Sequence, residues 1–286
     1  MEKREKIFLF ILLGISIVAM GVWGYSIYLK KQVFENLIHS EKSKIQKDIK
    51  NIEDKSDKES IKPGAVKVPI IIYHNVKPIY RGSIQQYAFS VTPTTLEKHL
   101  KYFKEHGYTT ISIDLLIDHF NKNIPLPPKP VILTFDDGWE NQYIYAFPLL
   151  KKYNATAVFY IYTNNIGHKN FLNWKEIKEL DAAKMTIGSH TESHLSLTSI
   201  KNKEKLIEEI MGSKKIIEEN LGETINDFAY PYGHYNKNIM ALAKEAGYTS
   251  ARGTEKGTYH VKDEIFNLAG HIIYDDLDEF INTLDK

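Results

Sequence analysis

Segments typical of strands alternate with segments typical of helices over residues 66–286, and this alternation most constrains the fold. The clearest strand is the β-branched apolar run 131–135. A helix is predicted to begin at Thr92-Pro93, with proline at its first position, and to end at Gly107. Repeated β-then-α units imply a parallel sheet, and their number favours a closed or nearly closed barrel over an open sheet. We therefore expect an α/β fold.

The same patterns predict the other elements of this region. The expected strands are 68–73, 131–135, 156–161, 185–187, 227–230 and 265–273. The expected helices are 93–107, 112–120, 141–153, 174–183, 200–221, 236–246 and 276–284.

Polar side chains follow four of the predicted strands, within three residues of the end of each strand. They are His74, Asp136, Asp137, His190 and Tyr232. Parallel α/β barrels carry their active sites at the carboxyl ends of their strands. We therefore expect these side chains to meet at one mouth of the barrel.

The residue types indicate metal-assisted chemistry. Paired acids suit two tasks, because one can bind a metal while the other takes a proton. Taken alone, Asp136-Asp137-Gly138 could equally form a turn or cap a helix. His190 and His194 are spaced so that one helical turn brings their imidazoles together. Two histidines and one carboxylate are the usual protein ligands of a catalytic zinc with an open position.

A resemblance to a known family rests on these motifs. The sequence TFDDG at 134–138 together with HTESH at 190–194 resembles the first two motifs of the polysaccharide deacetylases, the NodB-like domains of carbohydrate esterase family 4. The sequence FAYPYG at 228–233 resembles the third motif. The resemblance extends from about residue 68 to the C-terminus. It implies a distorted (β/α)7 barrel and metal-dependent removal of N- or O-acetyl groups from sugars.

The resemblance also assigns roles by matching position. It implies that Asp137, His190 and His194 bind the metal and that Asp136 is the catalytic base. The backbone N–H of Tyr232 would help to hold the oxyanion. Zinc is the default for these ligands, and cobalt, nickel or iron would fit the same set.

Two positions depart from the family pattern. Ala229 stands where an arginine usually tethers the base, and Arg252 is the candidate substitute. The sequence IIIYH at 70–74 resembles the opening of the circularly permuted poly-N-acetylglucosamine deacetylases. We therefore expect His74 to be the catalytic acid, with His271 as the second candidate.

Aromatic side chains near these motifs could line a sugar pocket. Trp139, Trp174 and Tyr232 are the candidates for its walls, although a large aromatic side chain more often packs in a core. Only Tyr232 is placed at the mouth by its own motif.

Composition excludes several classes of protein. The chain has no cysteine, which excludes disulfides, cysteine-ligated metals and a cysteine nucleophile. A net charge of +1 gives no reason to expect a nucleic-acid partner.

The first 65 residues differ from the rest of the chain. Residues 7–29 are almost wholly apolar and long enough to cross a bilayer, which favours an anchor over a cleaved signal peptide. The flanking charges are nearly balanced and do not fix the orientation. We expect a transmembrane anchor over 1–31, a polar linker over 32–65 and a deacetylase barrel over 66–286. The protein would then be a single-pass membrane protein with its barrel outside the cell.

The expected activity is removal of N-acetyl groups from an N-acetylglucosamine-containing cell-surface polysaccharide, either an exopolysaccharide or peptidoglycan. The alternatives are an O-acetyl esterase acting on another polysaccharide and a barrel that binds sugar without catalysis. A metal-dependent phosphohydrolase is disfavoured, because the sequence has no additional carboxylate ligands and no phosphate loop.

Overall fold

The computed structural model of the protein describes residues 61–78 and 89–285. Its strands are β1 (Val66–Lys67), β2 (Ile70–Tyr73), β3 (Asn75–Val76), β4 (Ser90–Val91), β5 (Thr109–Thr110), β6 (Pro130–Phe135), β7 (Val158–Ile161), β8 (Thr186–Ser189), β9 (Asp227–Ala229), β10 (Ser250–Arg252), β11 (Tyr259–His260) and β12 (His271–Ile272). Its α-helices are α1 (Pro93–His106), α2 (Ile113–Lys122), α3 (Phe147–Tyr153), α4 (Trp174–Ala182), α5 (Lys203–Ile207), α6 (Ser213–Leu221), α7 (Lys237–Glu245) and α8 (Leu277–Asp285).

The main sheet is parallel and curls on itself. Its strands follow the order β10-β9-β8-β7-β6-β2-β12, and β5 pairs with the start of β6. A parallel bridge between Arg252 and Leu268 brings β10 against the segment that leads into β12. The expected α/β class is therefore confirmed, with a curled parallel sheet where a distorted (β/α)7 barrel was expected.

The strands are buried on both faces, as is usual for parallel strands covered by helices. In β6, Leu133 packs with the helices outside the sheet, whereas its neighbour Ile132 faces a second, smaller cluster. That second cluster contains residues from the strands and from α2. Because alternate residues of a strand point to opposite faces, one set fills the inside of the curl and the other joins it to the helices.

Local signals locate several helix ends as predicted. The side chains of Thr92, Ser112 and Asn173 each accept a backbone N–H bond at the start of a helix. Gly107 ends α1 in the left-handed conformation.

The structure corrects three of the predicted elements and adds one strand. Two predicted helices begin or continue as π-helix, over Gln142–Ala146 and Glu208–Gly212. The predicted strand over 265–273 is strand only at β12, because the preceding residues bend to meet β10. Strand β10 was not predicted at all, since its sequence Ser-Ala-Arg lacks an apolar run.

The predicted membrane anchor over 7–29 and most of the predicted linker lie outside the described residues. Among residues 61–78 and 89–285, the structure has no helix that combines the length and apolar character needed to cross a membrane.

Candidate functional site

The predicted site residues meet at the carboxyl ends of the parallel strands. Asp136 and Asp137 follow β6, and His190 follows β8. His74 follows β2, which pairs with β6 in register so that the two strands end side by side. The Asp136 N–H bonds the Tyr73 carbonyl at 2.9 Å, which fixes the end of β6 against the end of β2.

Three of these side chains form a cluster that could hold a metal ion. One ligand atom from each of Asp137, His190 and His194 lies within 4.8 Å of the other two. The Asp137 Oδ1 is 3.2 Å from His194 Nε2 and 3.7 Å from His190 Nε2. This oxygen is buried and has no hydrogen-bond partner among the described residues. A divalent cation between the three atoms would satisfy it, so the residues fit a metal ion.

The protonation of the cluster also suits a metal. Burial lowers the pKa of His190 to about 4, so its imidazole is neutral at physiological pH. Burial alone would raise the pKa of Asp137, but the His194, His190 and His74 imidazoles hold it well below its usual value. Neutral imidazole and ionised carboxylate are the forms that bind metals.

Neighbouring groups orient two of the three candidate ligands. The Trp139 indole N–H donates to Asp137 Oδ2 at 3.0 Å and leaves Oδ1 free. The His190 Nδ1 is 2.7 Å from the Ala229 carbonyl, so it carries the proton and Nε2 is free to bind. Such outer partners set the tautomer and direction of metal ligands.

The backbone of the site is strained. Asp137, Thr191, His194 and Tyr232 all have left-handed φ values, between 57° and 75°. Non-glycine residues rarely adopt this conformation, and such residues concentrate at active sites and ligand clamps. Four of the ten described non-glycine residues with a left-handed φ therefore lie in this site.

Asp136 is held by Arg252. Its carboxylate is 3% exposed, and Arg252 Nη2 lies 2.5 Å and 2.7 Å from its two oxygens. Arg252 Nη1 donates to the Gly253 carbonyl, and the guanidinium lies 5.0 Å from the Tyr160 ring centroid. Arg252 therefore makes the contact proposed for it as the substitute for the missing arginine.

The geometry explains how Arg252 can replace an arginine at position 229. Strands β9 and β10 pair so that Arg252 lies directly beside Ala229. Both side chains are buried, and the small Ala229 leaves room for its neighbour. Gly270 also keeps the space open, because a Cβ there would lie 3.2 Å from Arg252 Cδ.

The two candidate acids occupy different places. His74 Nε2 lies 4.0 Å from Asp136 Oδ2, and its side chain is 17% exposed at the mouth. His271 pairs with Ile71, three residues before His74, and its Nε2 is 3.0 Å from the Gly257 N–H. The structure therefore brings His74, and not His271, next to the base. The Nδ1 of His74 is buried without a partner among the described residues.

The two other residues predicted to contact the substrate, Tyr232 and Trp174, also lie in different surroundings. The Tyr232 ring is 59% exposed, with its centroid 4.8 Å from that of His194, which places it at the mouth. Trp174 begins α4 and packs against the core that joins sheet and helices.

Two buried residues that no sequence motif indicates hold the site in place, and each lies in a π-helical segment. The Gln142 side-chain amide donates to the backbone carbonyls of His74 and Asp136. The Glu209 carboxylate accepts the backbone N–H groups of Glu192 and Ser193, at 3.1 Å and 2.9 Å. Glu209 thus supports residues 190–194, the histidine loop. π-Helical turns are often found at functional sites.

Comparisons with known proteins agree with this geometry. The sequence profile of the polysaccharide deacetylase family matches residues 123–251. The Bacillus subtilis (strain 168) protein YxkH is 30% identical over 191 residues, which cover 67% of this chain and 66% of that protein. A poly-beta-1,6-N-acetyl-D-glucosamine N-deacetylase of Staphylococcus aureus (strain MRSA252) is 30% identical over 173 residues, covering 56% of this chain and 59% of that protein.

A solved structure shows the same fold. The Streptococcus pyogenes deacetylase PplD, in complex with acetate, aligns with a TM-score of 0.71 and 26% identity, over 77% of this chain and 99% of that one. The chain spans 66% and 59% of the length of the two curated relatives described above. The motifs, the curled sheet and these relatives lead to one conclusion. The chain belongs to the polysaccharide deacetylase family.

Proposed function

We propose that this protein is a metal-dependent hydrolase that removes N-acetyl groups from an N-acetylglucosamine-containing cell-surface polysaccharide. The main support for the proposal is that two features lie next to each other at one mouth of the sheet. A tethered carboxylate, Asp136, lies directly beside a cluster fit for a metal, made of Asp137, His190 and His194. The named activity of the Staphylococcus aureus relative supports this class of substrate.

The proposed metal ion is zinc, with cobalt, nickel or iron compatible with the same ligands. When bound, a divalent cation polarises a carbonyl and lowers the pKa of water to about 7. Asp137, His190 and His194 would hold it.

Asp136 then acts as the general base. It takes a proton from the water whose oxygen adds to the acetyl carbon. Arg252 fixes the direction of this carboxylate and leaves each oxygen a lone pair for the proton.

His74 acts as the general acid, since its Nε2 faces the same space as Asp136. It gives a proton to the amide nitrogen as the C–N bond breaks, because without that proton the nitrogen would have to leave as an anion, which is a poor leaving group. The products are acetate and a free amine on the sugar. The backbone N–H of Tyr232 stabilises the negative charge that develops on the acetyl oxygen.

The Arg252–Asp136 pair also bears on the alternatives. A barrel that only binds sugar has no need of a buried, oriented base, so the pair favours catalysis. The same residues could cleave an O-acetyl ester, so an acetate-release assay must compare both bonds.

We further propose that residues 7–29 anchor the protein in the cell membrane and that residues 32–65 carry the barrel away from it, on the outer side. The support is the uninterrupted apolar run and the polar composition that follows it.

Acetate release tests the proposed function. The purified protein is assayed on N-acetylglucosamine oligomers and on an O-acetylated xylan, after chelation and after addition of Zn²⁺ or Co²⁺. We expect metal-dependent release from the oligomers, lost in Asp136→Asn while metal binding persists. Full activity in Asp136→Asn would refute its role as the base, and release only from the xylan would establish the esterase instead.

A further inference from the structure

Three aromatic rings lie in series from the reaction centre towards solvent. The His74 ring centroid lies 5.1 Å from that of Phe89, and the Phe89 centroid lies 6.0 Å from that of Tyr274. Phe89 is 44% exposed and Tyr274 is 39% exposed. The two outer rings thus form an apolar surface that begins at the candidate acid. We call Phe89 and Tyr274 the aromatic pair.

Separate parts of the fold build the aromatic pair. Phe89 precedes β4, and its carbonyl accepts the Asn75 N–H at 3.0 Å. Tyr274 follows β12, which pairs with β2 and ends at the same mouth. Both segments are therefore attached to the strands that position the site.

A direct link joins these two segments. The Asp275 carboxylate accepts bonds from the Thr92 N–H and the Thr92 hydroxyl, at 2.9 Å and 3.2 Å. The residue after Tyr274 is thereby tied to a residue close to Phe89. Phe89 also has a left-handed φ of 56°, which a bulky residue rarely adopts. This uncommon backbone conformation holds Phe89 with its ring exposed beside Tyr274.

The position of the pair indicates what covers it. A sugar whose acetamide group reaches Asp136 must place its ring at the mouth, beside His74. In a polymer the next sugar then lies farther from the centre, on one side or the other. The C–H face of a pyranose ring is apolar and packs well on aromatic faces, while its hydroxyl groups stay in water.

We propose that Phe89 and Tyr274 form a binding site for the pyranose ring adjacent to the one that loses its acetyl group. This inference rests on the proposed function and adds a requirement for at least two linked sugars. Tyr232 lies on the histidine side of the centre, so the aromatic pair extends the contact surface in the other direction.

The test uses Tyr274, because Phe89 touches His74 and its loss would disturb the acid directly. Binding of an N-acetylglucosamine tetramer is measured by calorimetry in the zinc-loaded Asp136→Asn protein, with and without Tyr274→Ala. We expect Tyr274→Ala to weaken binding about 2- to 12-fold, as for the loss of one aromatic contact. Tyr274→Trp should retain the affinity, since it keeps an aromatic face. The control is Tyr259→Ala, which removes a tyrosine of similar exposure, 40%, from β11.

A kinetic measurement separates binding of the second sugar from support of the fold. With Asp136 intact, Tyr274→Ala should lower kcat/KM for the tetramer more than kcat/KM for 4-nitrophenyl acetate, mainly through KM. Equal losses on both substrates, or equal tetramer binding with and without Tyr274, would refute the aromatic pair as a sugar site. If the tetramer is not bound while 4-nitrophenyl acetate is hydrolysed, the aromatic pair is refuted as a sugar site, but the protein is still a deacylase. If the tetramer binds through Tyr274 but no acetate is released from any substrate, the proposed function fails and the sugar site stands.

Discussion

Replacing Arg252 by methionine should both destabilise the protein and stop catalysis. The change removes a guanidinium that contacts both oxygens of Asp136, at 2.5 Å and 2.7 Å, in a place where both side chains are almost fully buried. Breaking a buried pair by removing one partner costs about 3–5 kcal/mol, because the other charge is left without compensation. Loss of base orientation should lower kcat by about 10²-fold or more.

Urea unfolding of the metal-free protein and acetate release measure the two effects. The matched control is the double variant Arg252→Met with Asp136→Asn, which leaves no buried charge unpaired. We expect it to recover most of the lost free energy of unfolding while remaining inactive. If the free energy of unfolding of Arg252→Met lies within about 1 kcal/mol of that of the original protein, the buried pair does not stabilise the fold as expected. Undiminished kcat would show that Asp136 needs no tether.

Three further predictions follow from the surroundings of the site. Trp139→Phe keeps an aromatic ring but loses the indole N–H bond to the carboxylate of Asp137, a candidate metal ligand. Zinc affinity, measured by competition with a chelator, should fall about 10- to 100-fold, and unchanged affinity would contradict this role. Glu209→Gln should weaken zinc binding and speed amide exchange in the histidine loop, whereas Glu219→Gln, an exposed acid of α6, should do neither. Burial lowers the pKa of His99 to about 3 and of His260 to about 4, so both are neutral in the fold. Above the unfolded pKa of about 6.5, each histidine is neutral in both states and the fold keeps its full stability. As pH falls from there towards the folded pKa, only the unfolded state takes up the proton, so the free energy of unfolding declines. The melting temperature should therefore drop between pH 6.5 and pH 4, and replacing either histidine by glutamine should reduce that slope.

The sequence was sufficient where the signal is local. Helix starts at Thr92, Ser112 and Asn173 were predictable, because each side chain caps the helix that follows it. Asp136 and His190 were predictable as members of one site because each follows a buried strand, and parallel strands end at one edge. Here a local pattern and a general rule of topology together define most of the mouth.

The sequence was insufficient where a tertiary contact decides the role. Strand β10 has three residues and no apolar run, so the sequence offered Arg252 as a tether without placing it on a strand beside Ala229. Glu209 follows another acid on a helix and resembles a solvated charge, yet it is fully buried. The π-helical turn that contains it changes the helical phase, and hydrophobic periodicity does not reveal this change.

The placement of Arg252 shows why a motif can lose a residue while the site keeps its chemistry. The base needs a cation at one point inside the curled sheet, and the strand that supplies it matters less. Position 252 lies beside position 229 in the parallel register, so the two side chains enter the same space. Alanine at 229 places a small side chain beside the large one at 252. The backbone carbonyl of Ala229 still orients His190, since that contact does not depend on its side chain. The departure from the motif therefore moves the tether to the neighbouring strand and leaves the candidate metal ligands supported as before.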